Sequence, residues 1–129
     1  MDLTIIIPVK NEENNISNIV ESINSKIKVG YEILFIDDFS EDGTVNVIKN
    51  FQKENDKIKL IKNKVKGLGE SVRNGIMHSN GQYLSILMCD GSDDLEDLNR
   101  YYSTIKDNDL DAVFGLSLIH IWRCRRFVP

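Results

Sequence analysis

The sequence predicts an α/β protein built on a mostly parallel sheet with helices on both faces. Two observations carry this. Short β-branched apolar runs alternate along the chain with segments of helical periodicity, and turn residues separate the two kinds of segment. In addition, acidic and amide side chains recur just after the apolar runs, where ligands bind in such sheets.

Leu3–Pro8 reads as a buried strand, and Asn14–Ser25 as a helix with Ile16, Ile19, Val20 and Ile23 on one stripe. Tyr31–Asp37 is a second apolar strand. Gly43-Thr44 supplies a turn and a cap for a helix through about Asn55, with Val47, Ile48 and Phe51 facing inward. Ile58–Ile61 is a short third strand. A helix over Leu68–Ser79 follows Gly67 and Gly69, Gly81 marks a turn, and Gln82–Met88 is the fourth strand. The loop Cys89–Asp94 precedes a helix over roughly Leu95–Ile105, and Ala112–Phe114 begins a fifth strand. Right-handed βαβ units then bring Pro8–Glu12, Asp37-Asp38 and Asp90 to one rim.

Composition narrows the function. At 129 residues the chain holds one core, and 41% hydrophobic with 28% charged residues is the balance of a globular protein. A formal charge of −4 argues against a nucleic-acid partner, since phosphate backbones attract basic faces. Cys89 and Cys124 have no metal-ligand spacing and form no disulfide framework. The start has no basic n-region, and no apolar stretch reaches membrane-spanning length, so the expected location is cytoplasmic.

Four segments carry chemistry. Ile5-Ile6-Ile7-Pro8-Val9-Lys10-Asn11-Glu12 runs from a strand into a turn that Pro8 stiffens. In Ile36-Asp37-Asp38-Phe39-Ser40-Glu41-Asp42-Gly43-Thr44, paired carboxylates at a strand end need a hydrogen-bonding ligand, a cation or solvent. Asp42-Gly43-Thr44 reads as a tight turn and helix cap. Lys66-Gly67-Leu68-Gly69-Glu70-Ser71-Val72-Arg73-Asn74-Gly75 is neither a dinucleotide fingerprint nor a P-loop, and Gly75 reads as a packing glycine. Leu87-Met88-Cys89-Asp90-Gly91-Ser92-Asp93-Asp94 offers hard oxygen ligands as the fourth strand ends; the bland reading is an acidic turn that caps the next helix.

In this order the four segments resemble the nucleotide-sugar-binding half of family 2 glycosyltransferases of the GT-A fold. The Gly-Leu-Gly helix and the Asp-Gly-Ser-Asp-Asp loop are similar to those of dolichyl- and polyprenyl-phosphate mannosyltransferase-like members. The resemblance implies transfer of a sugar from a GDP- or UDP-sugar to an acceptor, with a polyprenyl phosphate at the inner face of a membrane as the acceptor indicated. It implies that Pro8, Val9, Asn11 and Glu12 lie along base and ribose, and that Asp38 reads the base with Asp37 supporting the turn. Lys66 and Gly67 approach the diphosphate. It also implies a Mg²⁺ or Mn²⁺ ion on Asp90, with Ser92 or Asp93 as second ligand, although the family's usual Asp-x-Asp is here Asp90-x-Ser92.

The character of the chain changes after Gly115. Leu116–Pro129 contains three arginines and the single Trp, and Leu116–Arg126 resembles a translated transposase-type sequencing adapter with UGA read as Trp. Residues 1–115 are therefore expected to be the donor-binding part, carrying about −7, with the sheet truncated after its fifth strand and the chain inactive as it stands. Two rivals fit less well. A receiver-type signalling domain places its acidic pair after the first strand and a lysine after the fifth. A sugar-nucleotide pyrophosphorylase has a Gly-rich basic loop after the first strand, where this chain has Pro8–Glu12.

Overall fold

A computed structural model describes residues 2–114 and 120–123. The elements run β1 (Leu3–Val9), α1 (Ile16–Lys26), β2 (Tyr31–Asp37), α2 (Thr44–Glu54), β3 (Ile58–Lys62), α3 (Leu68–His78), β4 (Tyr83–Ile86), α4 (Leu95–Asp107), β5 (Ala112–Phe114) and β6 (His120–Arg123). The strands form one sheet in the order β3-β2-β1-β4-β6-β5. β1 pairs in parallel with β2 and β4, and β2 with β3.

Strands β1 and β2 are buried along their whole length because both sheet faces are covered. On one face Leu3, Ile5, Ile7 and Val9 join the stripes of α1 and α4 and Ile48 of α2 in the main core. On the other, Ile6, Leu34 and Ile36 form a smaller cluster beneath α3. The side change follows from topology. The chain must return from β3, at the sheet edge, past β2 and β1 to reach β4, and a right-handed crossover in that reversed direction lays α3 on the opposite face. Tight packing there needs a glycine: a Cβ on Gly75 would sit 2.5 Å from Ile6 Cγ2. The packing role read for Gly75 is thus what the fold uses.

A buried polar pin ties the opposite end of the sheet. Glu32, 1% exposed, accepts from Thr4 Oγ1 at 2.7 Å, Asn80 N at 2.7 Å and Lys59 Nζ at 3.1 Å. Burial pushes its carboxyl up, but these hydrogen bonds outweigh burial and hold it below the usual carboxylate range.

The sheet holds one strand more than the expected five. Residues 120–123, inside the segment set apart by composition, form β6 and pair antiparallel with both β4 and β5. Ladder hydrogen bonds are made by backbone groups, so a short run such as His-Ile-Trp-Arg fits the open edge of β4 whatever its origin. The remainder of Leu116–Pro129 lies outside the described residues. No helix among the described residues is long and apolar enough to cross a membrane.

Candidate nucleotide-sugar site

The strand order places β2 and β3 on one side of β1 and β4 on the other, which makes the carboxyl end of β1 the switch point where α/β sheets bind ligands. β4 stops pairing with β1 at Ile6, and the last bond between them is Leu87 N to Ile6 O at 2.9 Å. Beyond it the chains diverge and leave a cleft of about 220 Å³ lined by Pro8, Val9, Lys10, Glu12, Asp38, Leu68, Ser71 and Met88. Three of the four predicted segments meet in it, and Met88 stands at the head of the fourth.

Two loops are laced together to form the cleft's outer wall. Asn11, in the left-handed region at φ 54°, donates its backbone N–H to Ser40 Oγ at 2.9 Å and accepts from Glu41 N at 2.8 Å. Glu12 N donates to Thr44 Oγ1 at 2.8 Å, and Glu13 Oε2 accepts from Gly43 N at 3.0 Å. Asp42 Oδ1 accepts from Thr44 N at 3.0 Å, the turn and cap expected of Asp42-Gly43-Thr44. Asn11 thus serves the loop more than the cleft: it faces a neighbouring hollow of about 370 Å³ with Lys10, Phe39, Ser40, Glu41 and Lys66. Lys66 Nζ lies 5.5 Å from the centroid of the Phe39 ring, whose residue also has a left-handed backbone at φ 57°.

The acidic pair divides its work. Asp37 is 4% exposed; its Oδ2 accepts weakly from Ser40 N at 3.4 Å, and its Oδ1 is buried without a hydrogen-bond partner among the described residues. Asp38 is half-buried and lines the cleft, with Oδ1 accepting from Gly67 N at 3.1 Å and from Asn63 Nδ2 at 3.3 Å. Gly67, at φ 131°, holds a backbone conformation that other residues rarely adopt and begins α3. Sequence reasoning did not single out Asn63 or Asn74. Asn63 is 7% exposed, donates to Ser71 Oγ at 2.8 Å and accepts from Asn74 Nδ2 at 2.7 Å. The one available signal was Ser71, which stands where the family pattern has Ala.

Asp90 is on the same edge of the sheet but does not line the cleft. With Cys89 and Gly91 it borders an adjoining depression against Asn15, Asn18, Ile19 and Ser22 of the α1 region. Its Oδ1 accepts from Ser92 Oγ at 2.7 Å and Ser92 N at 3.0 Å, which lowers its pKa below the usual carboxylate value. Asp93 Oδ2 accepts from Met88 N at 3.3 Å, and Asp94 caps α4 by accepting from Glu96 N at 3.0 Å. Among the described residues no three His, Cys, Asp or Glu side chains group into a metal cage. The donor set, one exposed carboxylate with a second oxygen free of described donors, fits a cation whose remaining ligands are phosphate oxygens and water. Burial, with Glu12 and Asp90 nearby, pushes the Cys89 thiol up to about 12, so it is an inert spacer.

A second recess, lined by Ile6, Val72, Ile76, Leu84, Ile86 and Trp122, has no charged side chain with which to meet a diphosphate.

Comparison with known proteins agrees with this geometry. The family profile described as glycosyl transferase family 2 matches residues 4–128. Dolichyl-phosphate beta-glucosyltransferase of Dictyostelium discoideum is 32% identical over 127 residues, covering 88% of this chain and 39% of that protein. Among solved structures, a mannosyltransferase from Pyrobaculum calidifontis in complex with GDP-Man and Mn²⁺ superposes with a TM-score of 0.81 at 16% identity, covering 94% of this chain and 44% of that one. S. aureus TarS in complex with UDP-GlcNAc gives 0.74 at 19% identity, covering all of this chain and 37% of the other. The fold is therefore the GT-A arrangement. The chain spans about two fifths of the length of the proteins it matches.

Proposed function

Because this chain belongs to glycosyl transferase family 2, we propose that it forms the donor side of an enzyme that moves a sugar from a nucleoside-diphosphate sugar to a polyprenyl phosphate. The observation that carries this is the convergence of Pro8, Glu12 and Asp38 in one cleft at the switch point of the sheet. Asp38 accepts an N–H of the base, Pro8 and Val9 form the floor beneath base and ribose, and Glu12 accepts from ribose hydroxyls. Asn15 Nδ2 holds the Glu12 carboxylate at 2.6 Å, so little freedom is lost when the ribose binds. Lys10 and Lys66, on the cleft and the neighbouring surface, face the diphosphate charge.

Asp90, with Ser92 orienting it, would hold Mg²⁺ or Mn²⁺. Bound there, the ion would supply charge stabilisation to the departing diphosphate. The Mn²⁺ in the P. calidifontis complex supports this, as does the dolichyl-phosphate in the name of the D. discoideum relative for the acceptor. Sugar transfer at the cytoplasmic face of a membrane is assigned to the whole protein, of which relatives have more than twice this length. Residues 116–129 are proposed to be foreign, with β6 holding the place of a native strand; the adapter-like run Leu116–Arg126 supports this.

Isothermal titration with UDP and GDP, each with Mn²⁺ and with a chelator, tests the reading. Asp90→Ala should abolish the metal dependence of binding, and Asp38→Ala should weaken binding with and without metal. Equal affinity of the parent chain in Mn²⁺ and in chelator would overturn the metal assignment.

A further inference from the structure

We propose that Asn63, held by Asn74, turns Asp38 into a single-acceptor reader that selects uracil over guanine; this rests on the donor-site reading above. The hydrogen bonds around Asn63 leave its amide one orientation. A carboxylate accepts only, so the group at 3.3 Å from Asp38 Oδ1 is the amide Nδ2. The same Nδ2 donates to Ser71 Oγ at 2.8 Å, and that hydroxyl spends its proton on Gly67 O at 3.3 Å. The Asn63 carbonyl then accepts from Asn74 Nδ2 at 2.7 Å, and Asn63 N donates to Asp37 O at 2.9 Å. Asn63 is thus fixed from four directions at 7% exposure.

The consequence falls on Asp38. Its Oδ1 already takes two N–H groups, from Asn63 and Gly67, which fills that oxygen's two lone pairs. No described residue donates to Oδ2. One free oxygen meets one N–H in line, and a second, parallel N–H has to share it at a bent angle. Uracil presents a single N–H, at N3, between two carbonyls. Guanine presents two adjacent, parallel donors, N1–H and the N2 amine, which meet a carboxylate in line only when both of its oxygens can accept. Guanine here must fork both donors onto Oδ2 at bent angles or set one against the filled oxygen, whereas cytosine turns the lone pair of N3 toward the carboxylate and can offer only its N4 amine from an offset position. A desolvated donor left without an acceptor corresponds to about a tenfold loss of affinity.

The test is competitive binding of UDP, GDP, IDP and CDP to the 129-residue chain in Mn²⁺. IDP keeps the purine frame but lacks the N2 amine, so it separates donor count from ring size. The expected order is UDP tightest, IDP about tenfold tighter than GDP, and CDP weakest. Asn63→Ala frees one lone pair of Oδ1, the Gly67 N–H remaining on the other, and should bring GDP up to or past IDP. Asn74→Ala, which removes only the donor holding the Asn63 carbonyl, should move the ratio in the same direction and covers the case of an unfolded Asn63 variant. GDP binding as tightly as UDP, GDP matching IDP in the parent, or an unchanged GDP-to-IDP ratio in both variants overturns the base selection alone. Binding of none of the four nucleotides overturns the donor-site reading together with it.

Discussion

Gly75→Ala tests how α3 is held over the sheet, and through it how Gly67 N reaches Asp38. The added methyl would lie 2.5 Å from Ile6 Cγ2 and 3.0 Å from Ile6 Cγ1 and Cδ1, where unstrained carbon contacts are about 3.5–4.0 Å. Ile6 is 0% exposed but borders the apolar recess beside Trp122, so either α3 lifts by about 1 Å or Ile6 leaves its rotamer for that recess. Overpacking of this kind costs about 1–3 kcal/mol, while replacing a mid-helix glycine returns just under 1 kcal/mol of helix propensity. The expected net destabilisation is up to about 2 kcal/mol. Ile6→Ala alone should cost about 2–5 kcal/mol by opening a cavity. The methyl introduced by Gly75→Ala would partly fill that cavity, so the double variant should be more stable than additivity predicts, by about 1 kcal/mol or more. Urea unfolding of the four proteins gives the coupling. Gly75→Ala more stable than the parent, or strict additivity in the double variant, would refute the close-packing account.

Two further outcomes are expected. Glu32→Gln should lose about 1–3 kcal/mol at neutral pH, because it replaces a buried, multiply hydrogen-bonded carboxylate facing Lys59. The Glu32 carboxyl is held below its usual range, so its stabilisation is full above the unfolded pKa and is lost as pH falls through the folded one. The acid limb of a stability–pH curve should therefore be shallower in Glu32→Gln, and parallel curves would count against the pin. Deleting residues 116–129 should expose the β4 edge now covered by β6 and favour self-association in size-exclusion chromatography. A monodisperse, equally stable deletion would show that the edge needs no cover.

The parts of the fold that local pattern controls were legible. Tyr31–Asp37 is a strand with the bounds its apolar run predicts, and α2 starts at the predicted Thr44 with Ile48 inward. The fourth strand is shorter than its apolar run: Leu87 and Met88 follow the chain away from β1 at the mouth of the cleft, a departure set by topology. β6 was illegible because composition set its segment apart, whereas strand pairing depends on an available edge. At the site, Pro8, Val9, Glu12 and Asp38 were readable from motif order, and they line one cleft. Asn63 and Asn74 were not, since Asn63 comes beside Asp38 only when β3 pairs with β2, and Asn74 reaches Asn63 only when α3 crosses the sheet. Glu32 offered a faint signal as the one glutamate inside a strand of apolar residues.

The central claim is that the switch-point cleft holds a nucleoside diphosphate by its base on Asp38 with its metal on Asp90. A crystal structure of this chain grown with UDP and Mn²⁺ tests it most directly. The account predicts the base over Pro8 and Val9 with its N–H on Asp38 Oδ2, and the metal bridging Asp90 to the diphosphate. A nucleotide seated in the apolar recess beside Trp122, or a metal bound away from Asp90, would contradict it.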